Sequence, residues 1–325
     1  MKEIVIDKAN SGQKAEKFVR RFLSEAPLGY IYKAFRKKDV KANGHWVKKD
    51  YILQEGDVMR IYVSDEQLAD FLKPREATKC MLPYPIVFED ENVLIVDKPS
   101  GLLVIGDEHE TRNTLARKVL DYLYYKDEFD PNEHIFVPSP AHRLDRNTAG
   151  LVVFGKTDAA LKQLEEVFKD RTEISKHYTA LVSGILEGKG EIDAPLKKDV
   201  DSGLVSVTPV EKGGKNALTK YVSKETFLDS TLVDAELVTG RTHQIRVHFA
   251  YIDHPLIGDG KYGDFAANRR YKAKYGFSHQ FLHATSISFG KMPSELKDLE
   301  GKTFVSPLSK EESDLLSELK KEVTK

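Results

Sequence analysis

A single cysteine, Cys80, among 325 residues excludes an intramolecular disulfide and leaves nothing from which to build a cysteine zinc cluster. The histidines His142, His177, His243 and His248 do not fill the gap, being dispersed without the i,i+4 pair that a helical metal site needs. No stretch approaches the roughly 18 consecutive apolar residues of a membrane span. The opening MKEIVIDKAN lacks the apolar core of a secretory signal. The pair Gly213-Gly214 lacks the spacing of a phosphate loop and reads as a turn. No internal repeat is evident. An excess of one charge sign is missing as well, 50 Lys and Arg standing against 51 Asp and Glu. These absences point away from disulfide scaffolds, metal modules and membrane partners, and they predict a cytoplasmic protein, expected as a monomer.

What charge there is, however, is unevenly placed. Residues 1–62 hold 14 Lys and Arg against 8 Asp and Glu, a net of +6, so the remainder of this net −1 chain carries −7. Such asymmetry predicts a small polyanion-binding unit on a less basic body. With 40% hydrophobic and 31% charged residues, the chain is long enough for one large globular domain and one small one.

The basic segment is patterned. Ile4 to Ile6 predicts a short strand; Phe18, Phe22 and Leu23 share one face of a helix that turns Lys14, Lys17, Arg20 and Arg21 elsewhere. A second helix is predicted from Gly29 through Phe35, bearing Lys33 and ending on Arg36, Lys37 and Lys38. Asn43-Gly44 then signals a hairpin, and Val58 to Val63 alternates as a strand. Residues 63–80, polar and aperiodic, read as a linker. Beyond them a hairpin is expected over 87–96, helices over 114–124 and 158–170, and strands around 151–154, 176–182 and 233–237. The tail after 295 allows a short amphipathic helix through Leu315, Leu316 and Leu319. Strands joined by turns and punctuated by helices predict an α+β fold with a mixed, largely antiparallel sheet in a domain over 81–295.

Residues 142–151, HRLDRNTAGL, concentrate the chemistry. Asp145 stands between Arg143 and Arg146 in a segment introduced by Pro138 and Pro140 and running into the apolar Leu151 to Phe154. A carboxylate between guanidiniums stays ionised at neutral pH, which suits a nucleophile or an electrostatic stabiliser better than a general acid. The same ten residues also fit a surface loop with a structural Arg–Asp pair.

The wider pattern tips the balance. HRLDRNTAGL closely resembles the HRLD-x-x-TSGL signature of the large-subunit ribosomal RNA type of pseudouridine synthases, with Ala149 in place of the usual Ser. Residues 176–184, KHYTALVSG, look like that family's K-x-Y-x-A-x-V-x-G strand, and residues 239–248, TGRTHQIRVH, match its third motif almost letter for letter. Weaker echoes are residues 96–101, 215–221 and 258–263; the resemblance spans roughly 81 to 290. The basic segment 1–62 resembles the RNA-binding module of small-subunit ribosomal protein four, with Lys14-Ala15-Glu16 and Gly29 as departures from its pattern.

The resemblance implies an enzyme that isomerises uridine to pseudouridine in RNA, in ribosomal RNA of the large subunit, without a cofactor. It makes Asp145 the nucleophile, with attack on the sugar, attack on the base and a glycal route all open. It makes Arg246 the buried partner of that carboxylate, predicted as a bidentate pair on a helix over 242–251 capped by Thr242. It promotes Tyr178 as an aromatic face for an extruded base. Arg143, His142 and Arg241 are then expected to contact RNA near the site, and Lys33, Arg36, Lys37 and Lys38 to do so from the basic module. The competing expectation is a non-catalytic RNA-binding or ribosome-assembly factor, which would have no reason to keep Asp145, Tyr178 and Arg246 together. A carboxylate-dependent hydrolase would want a second acid beside Asp145, and the motif offers Arg and His. The stretches 106–137 and 264–279 are candidates for shaping substrate choice.

Overall fold

The computed structural model describes residues 1–23, 26–71, 77–107, 110, 112–131, 136–199 and 202–324. The chain divides into two compact units, one of residues 1–82 with 117–139 and 156–159, the other of 83–116, 140–155 and 160–325.

In the first unit, β1 (Lys2–Val5), α1 (Ala15–Phe22), α2 (Leu28–Arg36), β2 (Val40–Ala42), β3 (His45–Trp46), β4 (Val58–Ile61) and α3 (Asp65–Phe71) follow one another. The four strands form an antiparallel sheet in the order β1-β4-β2-β3. Asn43 and Gly44 both take positive φ, 50° and 82°, which is the turn geometry that the right-handed twist of a two-residue hairpin needs. Phe18, Val19 and Phe22 of α1 and Ile31 and Phe35 of α2 pack on Val40, Met59 and Ile61 of the sheet, closing a small core. The helix α3 falls within the stretch expected as linker, and the Phe71 ring meets Tyr30 at 4.6 Å. Residues 72–76 of that stretch lie outside the described residues.

The second unit is organised by one mixed sheet. Its early elements are β5 (Ile86–Glu89) and β6 (Val93–Lys98), an antiparallel hairpin; α4 (Leu115–Tyr125) follows in sequence but from residue 117 on belongs to the first unit. The short β7 (Ser139–Pro140) leads into the loop bearing Asp145. Then come β8 (Ala149–Gly155), α5 (Asp158–Asp170), β9 (Ile174–Ser183), β10 (Lys189–Asp193), β11 (Leu196–Lys198), β12 (Val205–Val207), β13 (Leu218–Thr226) and β14 (Ser230–Leu237). The chain finishes with α6 (Gln244–Tyr251), α7 (Phe265–Tyr275), β15 (Leu282–Phe289), β16 (Thr303–Val305) and α8 (Lys310–Val323).

The strand order β10-β13-β14-β9-β15-β8-β6-β5 is antiparallel throughout except where β15 meets β8. There the chains run parallel, and Gly150 faces Ala284 with φ +106°. A Cβ at position 150 would sit 2.2 Å from the Ala284 carbonyl oxygen, so the close approach of these strands requires glycine. All seven residues of β8 are buried, as befits a strand covered on both faces. One face packs Leu151, Val153, Ile95 and Ile287 against Leu164 and Phe168 of α5.

Two expectations meet their physical reasons here. In β9, Lys176, Tyr178 and Ala180 are all buried on one face, as period-two alternation requires. Helix α8 buries Leu315, Leu316 and Leu319 and opens with a capping box, Ser309 Oγ accepting from Glu312 N and Glu312 Oε2 accepting from Ser309 N. Glu312 also pairs with the buried His283 at 2.8 Å, whose other nitrogen meets Ser306 Oγ at 2.7 Å, so a polar chain anchors the helix to the sheet. Within 106–137, residues 108–109, 111 and 132–135 lie outside the described residues. The 264–279 stretch folds as α7, its first turn capped by Asp264. Among the described residues, no helix is long and apolar enough to cross a membrane.

Candidate active site

The loop that carries Asp145 is held from three sides. Lys98, at the end of β6, is fully buried, and its ammonium donates to the carbonyls of Pro99, Leu102 and Arg146 at 2.8, 2.9 and 3.1 Å. Ser100 Oγ donates to the Asn147 carbonyl at 3.0 Å, and Gln280 Nε2 to Thr148 Oγ1 at 2.8 Å. Thr148 N closes the turn on the Asp145 carbonyl. Burial pushes the Lys98 ammonium down to about 7, with the charges of Asp145 and Asp97 opposing. Its three carbonyl acceptors are what make such a buried cation tolerable.

Asp145 itself lines a small cavity of about 70 Å³ together with Arg143, Tyr178, Arg241, His243 and Arg246. Six elements contribute: the motif loop, β9, the end of β14, the turn at 238–243, α6 and the start of β15. Arg246 Nη1 donates to Asp145 Oδ2 at 2.7 Å across 101 residues of sequence. The two are in contact, but not as the predicted fork. The forked pair goes to Asp259, which takes Arg246 Nε at 2.7 Å and Nη2 at 2.8 Å and also accepts from the backbone N–H groups of Lys261 and Tyr262. The reason is geometric: a guanidinium bound side-on through Nε and Nη2 leaves only Nη1 to reach a second carboxylate.

This arrangement divides the two acids. Asp259 has no exposed side-chain surface, whereas Asp145 keeps a quarter of its own. Burial alone would raise Asp259, but the hydrogen bonds and charge of Arg246 hold it below the usual carboxylate range. Burial likewise disfavours the Arg246 cation, and Asp259 and Asp145 more than compensate, keeping it protonated. The Arg246 plane also faces the Tyr262 ring at 5.1 Å. Asp145 is therefore the reachable end of a fixed Asp259–Arg246–Asp145 chain.

Tyr178 is buried beside it, and burial first, then the Asp145 charge, raises its phenol well above the usual value. The hydroxyl thus stays protonated at neutral pH: the residue offers a ring face and a proton, never a phenolate. His243 stands 3.8 Å from Asp145 through Nε2, its Nδ1 meeting Tyr262 Oη at 2.8 Å. Burial lowers its affinity for a proton, against the pull of Asp145.

Two sequence expectations are corrected. Thr242 does not cap α6; His243 takes the N-cap position with φ 52° and no side-chain cap bond. Gln244 does the anchoring instead, its Oε1 accepting from Arg241 N and Thr239 Oγ1 and its Nε2 donating to the Leu218 carbonyl and Thr219 Oγ1. His142 does not join Arg143 at the cavity. Its ring stacks on Phe168 at 4.5 Å and accepts from Val153 N, and burial, reinforced by the Lys176 charge, pushes it down to about 3. The half-buried ring is held neutral and lies outside the cavity lining, so it brings no charge to a phosphate there.

Arg143 and Arg241 are exposed at the cavity. Lys33, Arg36, Lys37 and Lys38 are exposed on and after α2 in the first unit, where Lys33 and Lys37 line a groove with Tyr30 and Tyr62, and Lys38 covers the Trp46 ring at 4.9 Å. Asp259, Tyr262, His243 and Lys98 escaped the sequence reading. A signal existed for all four, since Lys98 lies in 96–101, Asp259 and Tyr262 in 258–263 and His243 in 239–248, segments that resemble the family.

Comparison with known proteins bears on the whole chain. Residues 92–251 match the family model described as RNA pseudouridylate synthase. The chain is similar to the ribosomal large subunit pseudouridine synthase C of Vibrio cholerae, 35% identical over 299 residues covering 90% of both chains. To the protein of the same name from Escherichia coli K12 it is 32% identical over 293 residues, covering 89% of this chain and 88% of that one. Its fold is shared with human RNA pseudouridylate synthase domain containing 4, at a TM-score of 0.57 and 24% identity over 72% of this chain and 92% of that one.

Proposed function

The chain belongs to the RNA pseudouridylate synthase family, and on that footing we propose that it converts specific uridines of large-subunit ribosomal RNA to pseudouridine in the cytoplasm, with Asp145 as the reacting carboxylate. The observation that carries the assignment is the half-open chain of charges: Asp259 locks Arg246, and Arg246 orients the one carboxylate left accessible in the cavity. Isomerisation breaks the bond between the uracil nitrogen and the ribose and remakes it at carbon 5 of the same base. No group is gained or lost, so a held carboxylate and a fixed cation supply what the step needs. Asp145 serves as nucleophile or as base toward the ribose. Tyr178 stacks on the extruded uracil, and its hydroxyl, kept protonated, can donate a hydrogen bond to it.

A uridine within a duplex is out of reach of so small a cavity, so the substrate base must leave its stack, at a cost of a few kcal/mol. Arg143, exposed beside Asp145, is placed to fill the space it vacates. Residues 1–62 act as the RNA-binding module, and Lys33, Arg36, Lys37 and Lys38 supply phosphate contacts from it. Reversing Lys33 and Lys37 to Glu should then weaken RNA binding and flatten the dependence of log affinity on log salt by about one for each contact removed.

The decisive experiment is Asp145→Asn on a ribosomal RNA fragment under single turnover. The amide keeps the shape and loses the reactive oxygen anion, so conversion should fall by at least about a thousandfold while RNA affinity stays near normal. Turnover at the normal rate would remove Asp145 from the chemistry, and a wild-type protein that binds the RNA without converting any uridine would make it a binding factor.

A further inference from the structure

Beside the cavity three cations gather with no carboxylate to balance them. Lys176 lies on β9 two residues before Tyr178, only 8% exposed, its ammonium 5.4 Å from the centre of the Phe168 ring. Arg171 follows α5 and spends its Nε on the Phe168 carbonyl at 3.0 Å; Arg241, at the cavity, spends its Nε on the Asn216 carbonyl at 3.0 Å. Among the described residues, none of the three has a carboxylate within 4.0 Å, and Lys176 has no hydrogen-bond acceptor at all. The charges they feel most are one another's: Arg171 disfavours the Lys176 cation and Arg241 disfavours that of Arg171, each adding to burial. The imidazole of His142, the next titratable group, is neutral and brings no countercharge.

Arg171 and Lys176 converge on one point, and Arg241 lies near enough to Arg171 for its charge to disfavour that cation. A Cβ placed on Gly240 would lie 2.9 Å from Arg171 Nη2 and 3.9 Å from Lys176 Nζ, so the glycine leaves open the space between them. Gly240 precedes Arg241, which lines the Asp145 cavity, and Lys176 shares the buried face of β9 with Tyr178. A buried ammonium without a carboxylate partner costs folding free energy, which an arriving anion offsets. Guanidinium forks beside an ammonium suit a tetrahedral oxyanion with several acceptor oxygens.

We infer that Arg171, Lys176 and Arg241 form a binding site for a phosphate of the substrate RNA, next to the uridine held over Asp145. The inference rests on the RNA reading given above. Its test measures binding, on the full-length Asp145→Asn protein, so a wrong nucleophile shows separately, as turnover by that variant. Lys176→Met is compared with its Asp145→Asn parent in two assays: thermal unfolding in inorganic phosphate or chloride at equal ionic strength, and binding of a ribosomal RNA fragment across a salt series.

Removing the unpaired charge should raise Tm in chloride by a few degrees. That gain should shrink as pH rises through about 8 toward 10.5, because the parent's ammonium is then lost as well. Phosphate should raise the Tm of the parent and not of the variant. RNA affinity should fall about tenfold, with the salt slope shallower by roughly 0.7 to 1. Arg241→Gln, a change at an exposed position, should reproduce the affinity and slope changes without the gain in Tm, and it keeps the test open if Lys176→Met folds poorly. Unchanged RNA affinity and slope in both variants would overturn the inference. Phosphate-dependent stabilisation alongside unchanged RNA binding would overturn it too, and would make the ligand a free phosphate.

Discussion

Two clusters of charge lie on neighbouring elements of the same unit and are built on opposite plans. Around Arg246, one cation serves two carboxylates, and every strong group is hydrogen-bonded before any ligand arrives. Around Gly240, three cations share no carboxylate among the described residues, and one of them is buried. The first plan gives position: the internal partners of Arg246 decide where the Asp145 oxygens stand. The second gives appetite: with no internal partner, the cluster leaves its attraction for something brought from outside. A site that reacts with one part of a polyanion and grips another needs both, since a carboxylate at the reacting point would otherwise repel the substrate.

The comparison breaks most visibly at Arg246. Arg246→Ala strands Asp145 and the buried Asp259 together, which should cost about 3–5 kcal/mol of stability and abolish detectable turnover. Arg246→Lys keeps the charge but cannot fork, so it should recover stability in part and activity hardly at all; chemical denaturation and single-turnover conversion measure the two. An Arg246→Ala protein of normal rate would show that the internally balanced cluster is scaffolding and no more.

Asp259→Asn tests whether the hidden acid acts through its neighbour. The amide cannot receive both N–H groups of the fork with full charge, so Arg246 should shift and conversion should fall by roughly 10–100-fold with little change in RNA affinity. The stability Asp259 contributes is present above its unfolded pKa and is lost as pH falls through its lower folded value. Asp259→Asn should remove that part of the acid limb, which urea midpoints between pH 5 and 2 would reveal. An unchanged limb would deny the pair its role.

His142 sharpens the contrast, because acid would make it a further cation beside Lys176. Its folded pKa lies near 3 while the unfolded chain takes up the proton near 6.5, so its stability is complete above 6.5 and lost as pH falls toward 3. By pH 5 the loss should be about 2 kcal/mol. His142→Phe keeps the stacking on Phe168, gives up the Val153 bond at a constant cost of about 1 kcal/mol, and should flatten this limb. A parallel pH profile for wild type and variant would show that the ring titrates freely.

The smallest effect is expected at Arg241→Lys. The residue is exposed and already spends its Nε on the Asn216 carbonyl, so Lys, which keeps the charge and loses only the remaining fork, should lower RNA affinity by no more than about threefold and hold the salt slope. A loss as large as that of Arg241→Gln would mean that the guanidinium plane itself is read.

Much of this was legible in the sequence because it is local. The β9 alternation of Lys176, Tyr178 and Ala180, the Asn43-Gly44 hairpin, the Leu315, Leu316 and Leu319 face of α8 and the buried run after Gly150 each follow from a period or a turn rule that neighbours in sequence obey. The motifs brought Asp145, Tyr178 and Arg246 to notice, and the fold brings all three to one cavity. Where the reading failed, the cause was a competitor from far along the chain. Asp259 took the fork expected at Asp145; Gln244 took the turn bond expected of Thr242; Phe168 and the Val153 amide took the ring expected to meet RNA.

Sequence alone determined the residue types, the mixed sheet with its helices, the uneven charge and the family, because periodicity, composition and ordered motifs are properties of the chain itself. Tertiary structure alone decided which carboxylate Arg246 grips with two bonds, which of two acids stays open to solvent, and which cations go unpaired. Those outcomes depend on competition among partners separated by tens of residues and on burial that no single segment controls. A hydrogen bond goes to whichever acceptor the fold brings within 3 Å at the right angle, and a charge is costly or cheap only once its surroundings exist.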